Sequence, residues 1–260
     1  MRFVSGAILS VSVLAGLLTA VPAWPEQAPA GDTPPSCEVP DYLLASDSAL
    51  PKTAEAINGK SLNILVVGSR SSTINVNSGA SESAAYPGQM LIALKEKFPQ
   101  VAINLSVEIQ AKKNAEEVVP GLPKLLEEKK PTLVIWQTGT VDAVHSVDPD
   151  DFRTAVGEGI SALQQAGAEV ILMNPQYSPR TESMISAAPY LDNMRVVAQE
   201  RDIPLFDRFS IMQAWSESGA FDLFSTVHNT ELARRVHSCL GRALSQFIIG
   251  AAHPAAAQQN

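Results

Sequence analysis

Along this chain, short runs of Val, Ile and Leu alternate with longer stretches in which apolar residues recur at helical spacing. The first run, Leu62-Asn63-Ile64-Leu65-Val66-Val67, stops at Gly68 and opens into a serine-rich loop, Ser69-Arg70-Ser71-Ser72-Thr73. A run this short and branched reads as a strand buried on both faces, with Gly68 letting the backbone turn sharply as the strand ends. Residues 83–98 follow as a helix, with Tyr86, Met90, Leu91, Leu94 and Phe98 at helical spacing and Pro87 in the first turn. Residues 101–109 alternate as a strand, and 114–129 form a helix interrupted at Pro120-Gly121-Leu122-Pro123. Three more strands are expected at 132–137, 169–173 and 203–206. Between them lie helices at 150–166, capped by Asp150-Asp151 and closed by Gly167, and at 183–201. A helical or turn segment at 209–215 precedes a last long helix at 229–249, apolar at Leu232, Val236, Leu240, Leu244 and Phe247.

This alternation of strands and helices predicts a parallel sheet covered by helices on both faces. Ligands of such sheets bind outside the carboxyl ends of the strands. Three polar loops follow strands on that edge, at 68–72, 138–142 and 174–180, and a fourth element, Ser225-Thr226-Val227-His228-Asn229, opens the last helix. Together they supply hydroxyls, backbone amides and one histidine, the inventory of a serine hydrolase.

The ends of the chain add a compartment to this picture. Residues 1–23 carry one early arginine, an uncharged apolar segment and then small residues, the pattern of a secretory signal cleaved near Ala23, with an uncleaved membrane anchor as the alternative. Membrane contact is expected only through that signal, if it stays attached. Residues 24–60 read as a Pro-rich linker and N-terminal arm with room for a short helix at 41–60, residues 61–250 as the domain, and 251–260 as a disordered tail. A secreted or periplasmic protein can keep a disulfide, so Cys37 in the arm and Cys239 on the last helix are expected to pair, two free thiols being the other possibility. Closing so long a loop would stabilise the fold by about 4 to 5 kcal/mol in the chain-entropy model.

Charge narrows the partners further. A net charge of −8 and a pI near 5.0 argue against a nucleic-acid binder, because phosphate neutralisation needs a basic face. Basic residues cluster only in pairs, Lys112-Lys113 and Arg234-Arg235. Four scattered histidines without a tight carboxylate cluster give no metal signature, and no cofactor motif is present. His237 reads as a helix-face residue, Trp136 and Trp215 as core or pocket wall, and Asp207-Arg208 as a surface cap or pair.

The order of these blocks resembles the SGNH/GDSL hydrolase family: a strand ending in a Gly-Ser loop, then Trp136-Gln137-Thr138-Gly139-Thr140, then Gln176-Tyr177-Ser178-Pro179-Arg180, then a histidine opening the final helix. The similarity runs from about residue 62 to 247. It implies a flavodoxin-like three-layer α/β/α sandwich with a five-stranded parallel sheet, and hydrolysis of ester bonds in lipids, in small molecules or as carbohydrate O-deacetylation.

Carried over residue by residue, the resemblance departs from this sequence at several positions. The family's nucleophile stands two residues after the glycine, which here is Arg70; one inserted residue restores the role to Ser71, with Ser69 and Ser72 as alternatives. The second block, Gln110-Ala111-Lys112-Lys113-Asn114, has no glycine, so the oxyanion amide would come from Ala111 or Lys112, alongside Ser69 and Gly139. The family's asparagine falls at Val141, and its aspartate at Ser225. His228 remains as general base, oriented by Asp222 or Ser225. Arg70, Thr140, Val141, Gln176, Tyr177 and Arg180 are the expected substrate contacts. The competing expectation is a catalytically inactive module of the same fold that binds envelope polysaccharide or a protein partner, because three chemistry-bearing positions are altered.

Overall fold

Strand Ser61–Gly68 (β1) is buried at every position from Ile64 onward and lies at the meeting point of two hydrophobic layers. Side chains alternate across a strand, so Leu62, Ile64 and Val66 enter one layer while Leu65 and Val67 enter the other. The computed structural model describes residues 37–74, 82–224 and 230–253. The other strands are Ala102–Ile109 (β2), Leu133–Gln137 (β3), Glu169–Met173 (β4) and Leu205–Phe206 (β5). All pairings are parallel, in the order β2-β1-β3-β4-β5. The chain reverses its direction of travel across the sheet between β1 and β3, which makes the crevice above that pair the expected ligand site. The five-stranded α/β/α sandwich agrees with the expected architecture.

The helices, in chain order, are Asp41–Leu44 (α1), Pro51–Asn58 (α2), Tyr86–Lys97 (α3), Ala115–Val118 (α4), Leu122–Lys129 (α5), Thr140–His145 (α6), Pro149–Gln165 (α7), Pro179–Glu182 (α8), Ala188–Glu200 (α9), Arg208–Glu217 (α10) and Thr230–Ala252 (α11). α3, α10 and α11 contribute to the layer around Tyr86, Met90, Trp215, Leu240 and Phe247, while α5, α7 and α9 contribute to the layer around Leu126, Phe152, Ile160 and Met194. Packing within the layers is close. An added Cβ on Gly159 would stand 2.4 Å from the Trp136 ring, and one on Gly241 would stand 2.5 Å from Gln89 Cβ and 2.6 Å from Met90 N.

Several local expectations change. Asp148, not Asp150-Asp151, caps α7, its carboxylate accepting the amides of Asp150 and Asp151, because Pro149 takes the first helical position. The helix expected at 183–201 starts later: α8 ends at Glu182, before that range, and α9 begins only at Ala188, where Pro189 occupies its first turn. α11 continues through Ala252, past the residue where a tail was expected.

The arm is partly structured. Residues 37–60 carry α1 and α2, with Leu50 and Ile57 in the core, the Trp215 indole donating to Glu38 O at 2.8 Å, and Leu50 N bonding Ala251 O at 3.0 Å. The expected Cys37–Cys239 disulfide is present, with a Cα–Cα distance of 5.1 Å. Among the described residues no helix is long and apolar enough to cross a membrane. The expected signal segment and the residues from 254 onward lie outside the described residues.

Candidate active site

The loop after β1 folds into a single 3-10 turn, Arg70–Ser72, whose preceding residue Ser69 accepts the Ser71 amide on its Oγ. This turn sets three hydroxyls toward one acceptor on the neighbouring strand. Gln137 ends β3 and is 3 % exposed. Its Oε1 accepts from Ser72 Oγ at 2.6 Å, from Ser71 Oγ at 3.3 Å, and from Ser69 Oγ and N at 3.3 Å each. Its Nε2 lies 3.1 Å from Ser69 Oγ. Gly68 is required here for space rather than for a left-handed turn. A Cβ on it would come within 2.2 Å of Ser72 Oγ, and the positive-φ glycines among the described residues are Gly139, Gly167 and Gly219.

Ser72 is 1 % exposed and spends its one proton on Gln137, so the Tyr86 hydroxyl, 3.0 Å away, donates to it. Burial pushes the Tyr86 phenol above its ordinary pKa, which keeps it a donor at neutral pH. Ser72, expected as an alternative nucleophile, is thus enclosed, with both hydrogen-bond partners inside the fold. Ser69 and Ser71 are half-buried and face the edge of the sheet.

The loop after β4 and the first turn of α10 supply and hold a cation. Asn174, after β4, donates to Asp207 Oδ1 at 2.6 Å and accepts the Phe209 amide at 2.9 Å, while Asp207 caps α10 through the Ser210 amide at 3.0 Å. These bonds fix the start of α10 and aim Arg208 back across the sheet edge. Arg208 is 1 % exposed. Its Nη1 donates to Ser71 Oγ at 3.1 Å, and its Nη2 donates to Ser71 O and to Gln176 Oε1 at 3.1 Å each. Its guanidinium lies 5.4 Å from the centre of the Tyr86 ring. Of the Asp207-Arg208 pair, Asp207 caps as expected, but Arg208 is a core cation and not a surface one.

The remaining expected site residues divide. Gln176 joins the cluster through Arg208, and Tyr177 packs edge-on against Phe209 at 5.2 Å. Ser69, Gly139, Thr140 and Val141 line a neighbouring cavity of about 10 Å³, room for about one water. Gly139 has φ +92° and precedes α6, while Val141 offers no side-chain donor. Thr140 Oγ1 and Asp142 Oδ2 are buried without a hydrogen-bond partner beside this cavity. Lys112 occupies a left-handed turn after β2, with φ +65° and an exposed side chain. Arg70 and Arg180 are exposed. Asp222 lies in the segment after α10, where its carboxylate accepts the Phe224 amide at 3.1 Å. His228 and Ser225 lie outside the described residues.

Sequence reading missed Gln137, Tyr86, Arg208 and His237 as members of this polar core. A glutamine closing an otherwise apolar strand was the one local signal. His237 is not an exposed helix-face residue: it is 8 % exposed, and its Nδ1 accepts the Tyr86 amide at 3.0 Å. Burial, with the Arg208 charge adding to it, lowers its pKa to about 3, so the ring is neutral and already used as an acceptor. No group of three or more His, Cys, Asp or Glu side chains able to hold a metal occurs among the described residues.

Solved structures with the same fold include TesA, at TM-score 0.54 and 18 % identity over 71 % of this chain and 99 % of that one. A variant of Axe2, an acetyl-xylooligosaccharide esterase from Geobacillus, matches at TM-score 0.58 and 15 % identity over 73 % and 94 % of the two chains. A two-domain esterase active on acetylated mannans matches at TM-score 0.62 and 15 % identity, covering 86 % of this chain and 59 % of that one. No curated protein matches. These neighbours share the fold expected from the SGNH/GDSL resemblance. The first block here, Gly68-Ser69-Arg70, is not Gly-Asp-Ser, and a family model described as the non-GDSL lipase-like family matches residues 36–254. By that match, spanning the sheet and every described site residue, this chain belongs to the non-GDSL lipase-like family.

Proposed function

We propose that this protein is an exported SGNH-type ester hydrolase in which Ser71 is the nucleophile and His228 the general base. The observation that carries the reading is the position of Ser71: a half-buried hydroxyl above the β1–β3 crevice, 3.1 Å from a charged guanidinium. Ser72 is enclosed, and Arg70 has no nucleophilic oxygen, which leaves Ser71 as the better candidate with Ser69 beside it. Ser71 Oγ attacks the ester carbonyl and passes its proton to the imidazole; the alcohol leaves with that proton, and water resolves the acyl-enzyme. Asp222 or Ser225 orients His228. The Gly139 amide, Ser69 and the Lys112 amide are candidates to receive the oxyanion, and Arg70, Thr140, Val141, Gln176, Tyr177 and Arg180 to line the bound ester. Solved neighbours described as acting on acetylated xylo-oligosaccharides and mannans support a carbohydrate or small-molecule ester as substrate. The apolar N-terminal segment and the Cys37–Cys239 bond support export to an oxidising compartment.

Fluorophosphonate labelling and hydrolysis of p-nitrophenyl acetate by the wild type and by Ser69→Ala, Ser71→Ala, Ser72→Ala and His228→Ala test this assignment. Labelling and turnover are expected in the wild type and absent from Ser71→Ala and His228→Ala. A folded wild type that neither labels nor turns over would overturn it.

One observation favours a second reading, a silent module that binds envelope polysaccharide or a protein. Ser71 Oγ accepts from Arg208, and its own proton is directed at Gln137 Oε1, 3.3 Å away, or Ser69 Oγ, 3.2 Å away. Glycan binding that persists in His228→Ala, with no hydrolysis by the wild type, selects that reading.

A further inference from the structure

Arg208 is an unusual residue to find in the interior of this domain. It is 1 % exposed, and among the described residues no carboxylate lies within ion-pair distance of it. Three of its five N–H groups are accounted for by Ser71 Oγ, Ser71 O and Gln176 Oε1, its Nε has no partner, and its one other compensation is the Tyr86 ring. Burying a cation without a counterion is costly, and a neutral donor would serve a carbonyl, a hydroxyl and an amide oxygen at lower cost. A charge is warranted where negative charge develops, and the group at its tip is the hydroxyl at the mouth of the crevice. Burial lowers the guanidinium pKa only to about 10, so the charge is present at neutral pH.

We propose that Arg208 is a catalytic residue: its guanidinium stabilises the charge that builds on Ser71 Oγ and on the attacked ester oxygen, supplying in one buried cation what Val141 cannot donate. The inference rests on the ester-hydrolase reading with Ser71 as nucleophile. As the Oγ–C bond forms, the carbonyl π pair moves onto its oxygen and the seryl proton goes to the general base. Arg208 keeps its own protons throughout and donates a hydrogen bond to Oγ while charge passes through it. When the C–O bond to the alcohol breaks, that proton leaves with the alcohol, and the acyl-enzyme is neutral again. A preorganised donor of this kind in a water-poor site is typically worth about 10²–10³ in rate. Asn174 and Asp207, by pinning the first turn of α10, hold the guanidinium in place and act as positioning residues.

Second-order fluorophosphonate labelling and p-nitrophenyl acetate hydrolysis, measured from pH 6 to pH 10 on the mature disulfide-bonded chain, decide the matter with Arg208→Gln and Arg208→Lys. Circular dichroism and thermal melts establish that each variant is folded. Arg208→Gln is expected to slow labelling by about 10²–10³-fold and to move the rise of the pH profile to higher pH. Arg208→Lys keeps the charge and is expected to recover at least about tenfold of that loss with the wild-type profile. A folded Arg208→Gln with wild-type labelling and profile overturns the proposal, as do equal losses in both variants with the profile unmoved. If Arg208→Gln does not fold, Arg208→Lys decides alone: a loss within about tenfold on the wild-type profile supports the charge role, and about 10²-fold on that same profile assigns Arg208 to scaffolding. A wild type that does not label overturns the parent reading, and this one with it.

Discussion

The Nδ1 atom of His237 on α11 accepts the backbone N–H of Tyr86 at the start of α3, at 3.0 Å. Accepting requires a neutral ring, and burial holds the ring neutral by lowering its pKa to about 3, against about 6.5 for a free histidine. The sign follows from that depression: the contribution is complete above about pH 6.5 and is lost as pH falls toward about 3. Each pH unit in that window costs about 1.4 kcal/mol from this group. His237→Asn keeps an acceptor but does not titrate. Urea unfolding at pH 7.5 and pH 4.5 is expected to show the wild type losing about 2–3 kcal/mol more than the variant; equal losses would show that His237 is not the titrating group.

Asp142 gives the opposite slope. It is 1 % exposed, its Oδ1 accepts the Ala115 amide at 2.8 Å, and burial raises its pKa despite that bond. A carboxyl raised in the folded state contributes most at low pH and loses that contribution as pH rises through the folded pKa. Asp142→Asn keeps the acceptor and removes the charge, so its stability relative to wild type should be more favourable at pH 7 than at pH 4. Asp142→Ala orphans the Ala115 N–H and should cost about 1–3 kcal/mol at pH 7. Denaturation midpoints at the two pH values check both outcomes.

The Glu169 carboxylate, at the start of β4, accepts the Lys52 and Thr53 amides at 2.8 Å each and the Thr53 hydroxyl at 2.7 Å. It replaces the side-chain cap that Leu50, preceding α2, cannot provide, and its charge opposes the positive end of the helix. Glu169→Ala is expected to cost about 1–2 kcal/mol and to raise amide exchange in residues 51–58 ahead of the sheet. Uniform exchange changes across the domain would argue against a local capping role.

Cys37 and Cys239 are 202 residues apart, and their bond ties the arm to α11, the helix that also carries His237. Cys37→Ser with Cys239→Ser is expected to lose up to about 5 kcal/mol, the chain-entropy bound for so long a loop. Calorimetry with and without reductant should show a melting temperature that responds to reduction in the wild type alone.

Much of this protein was readable from local pattern. Short apolar runs, one alternating segment at 101–109 and helical spacing placed β1 to β5 and most helices, since all depend on residues a few positions apart. Gly-Ser, Thr-Gly-Thr and Gln-Tyr-Ser loops fell on the carboxyl edge because every strand in a parallel sheet ends on the same side. That Ser69, Ser71 and Gln176 gather on that edge was legible for that reason. Gln137 and Arg208 were not: a lone glutamine ending a strand looks like a solvated terminus, and Asp207-Arg208 before a helix looks like a surface cap.

The sequence alone therefore determined the succession of strands and helices and the edge on which polar loops gather, because burial parity and helical periodicity are written within each segment. Tertiary structure decided which polar groups meet there. The order β2-β1-β3-β4-β5 sets Gln137 beside the serine loop, 65 to 68 positions away in the chain. It brings Arg208 to Ser71 across 137 positions, and the packing of α11 on α3 brings His237 to Tyr86 across 151. No local rhythm encodes such separations. They exist because a buried sheet aligns the ends of strands whose sequences are far apart, and a buried charge or imidazole takes its chemistry from the neighbours that this alignment supplies.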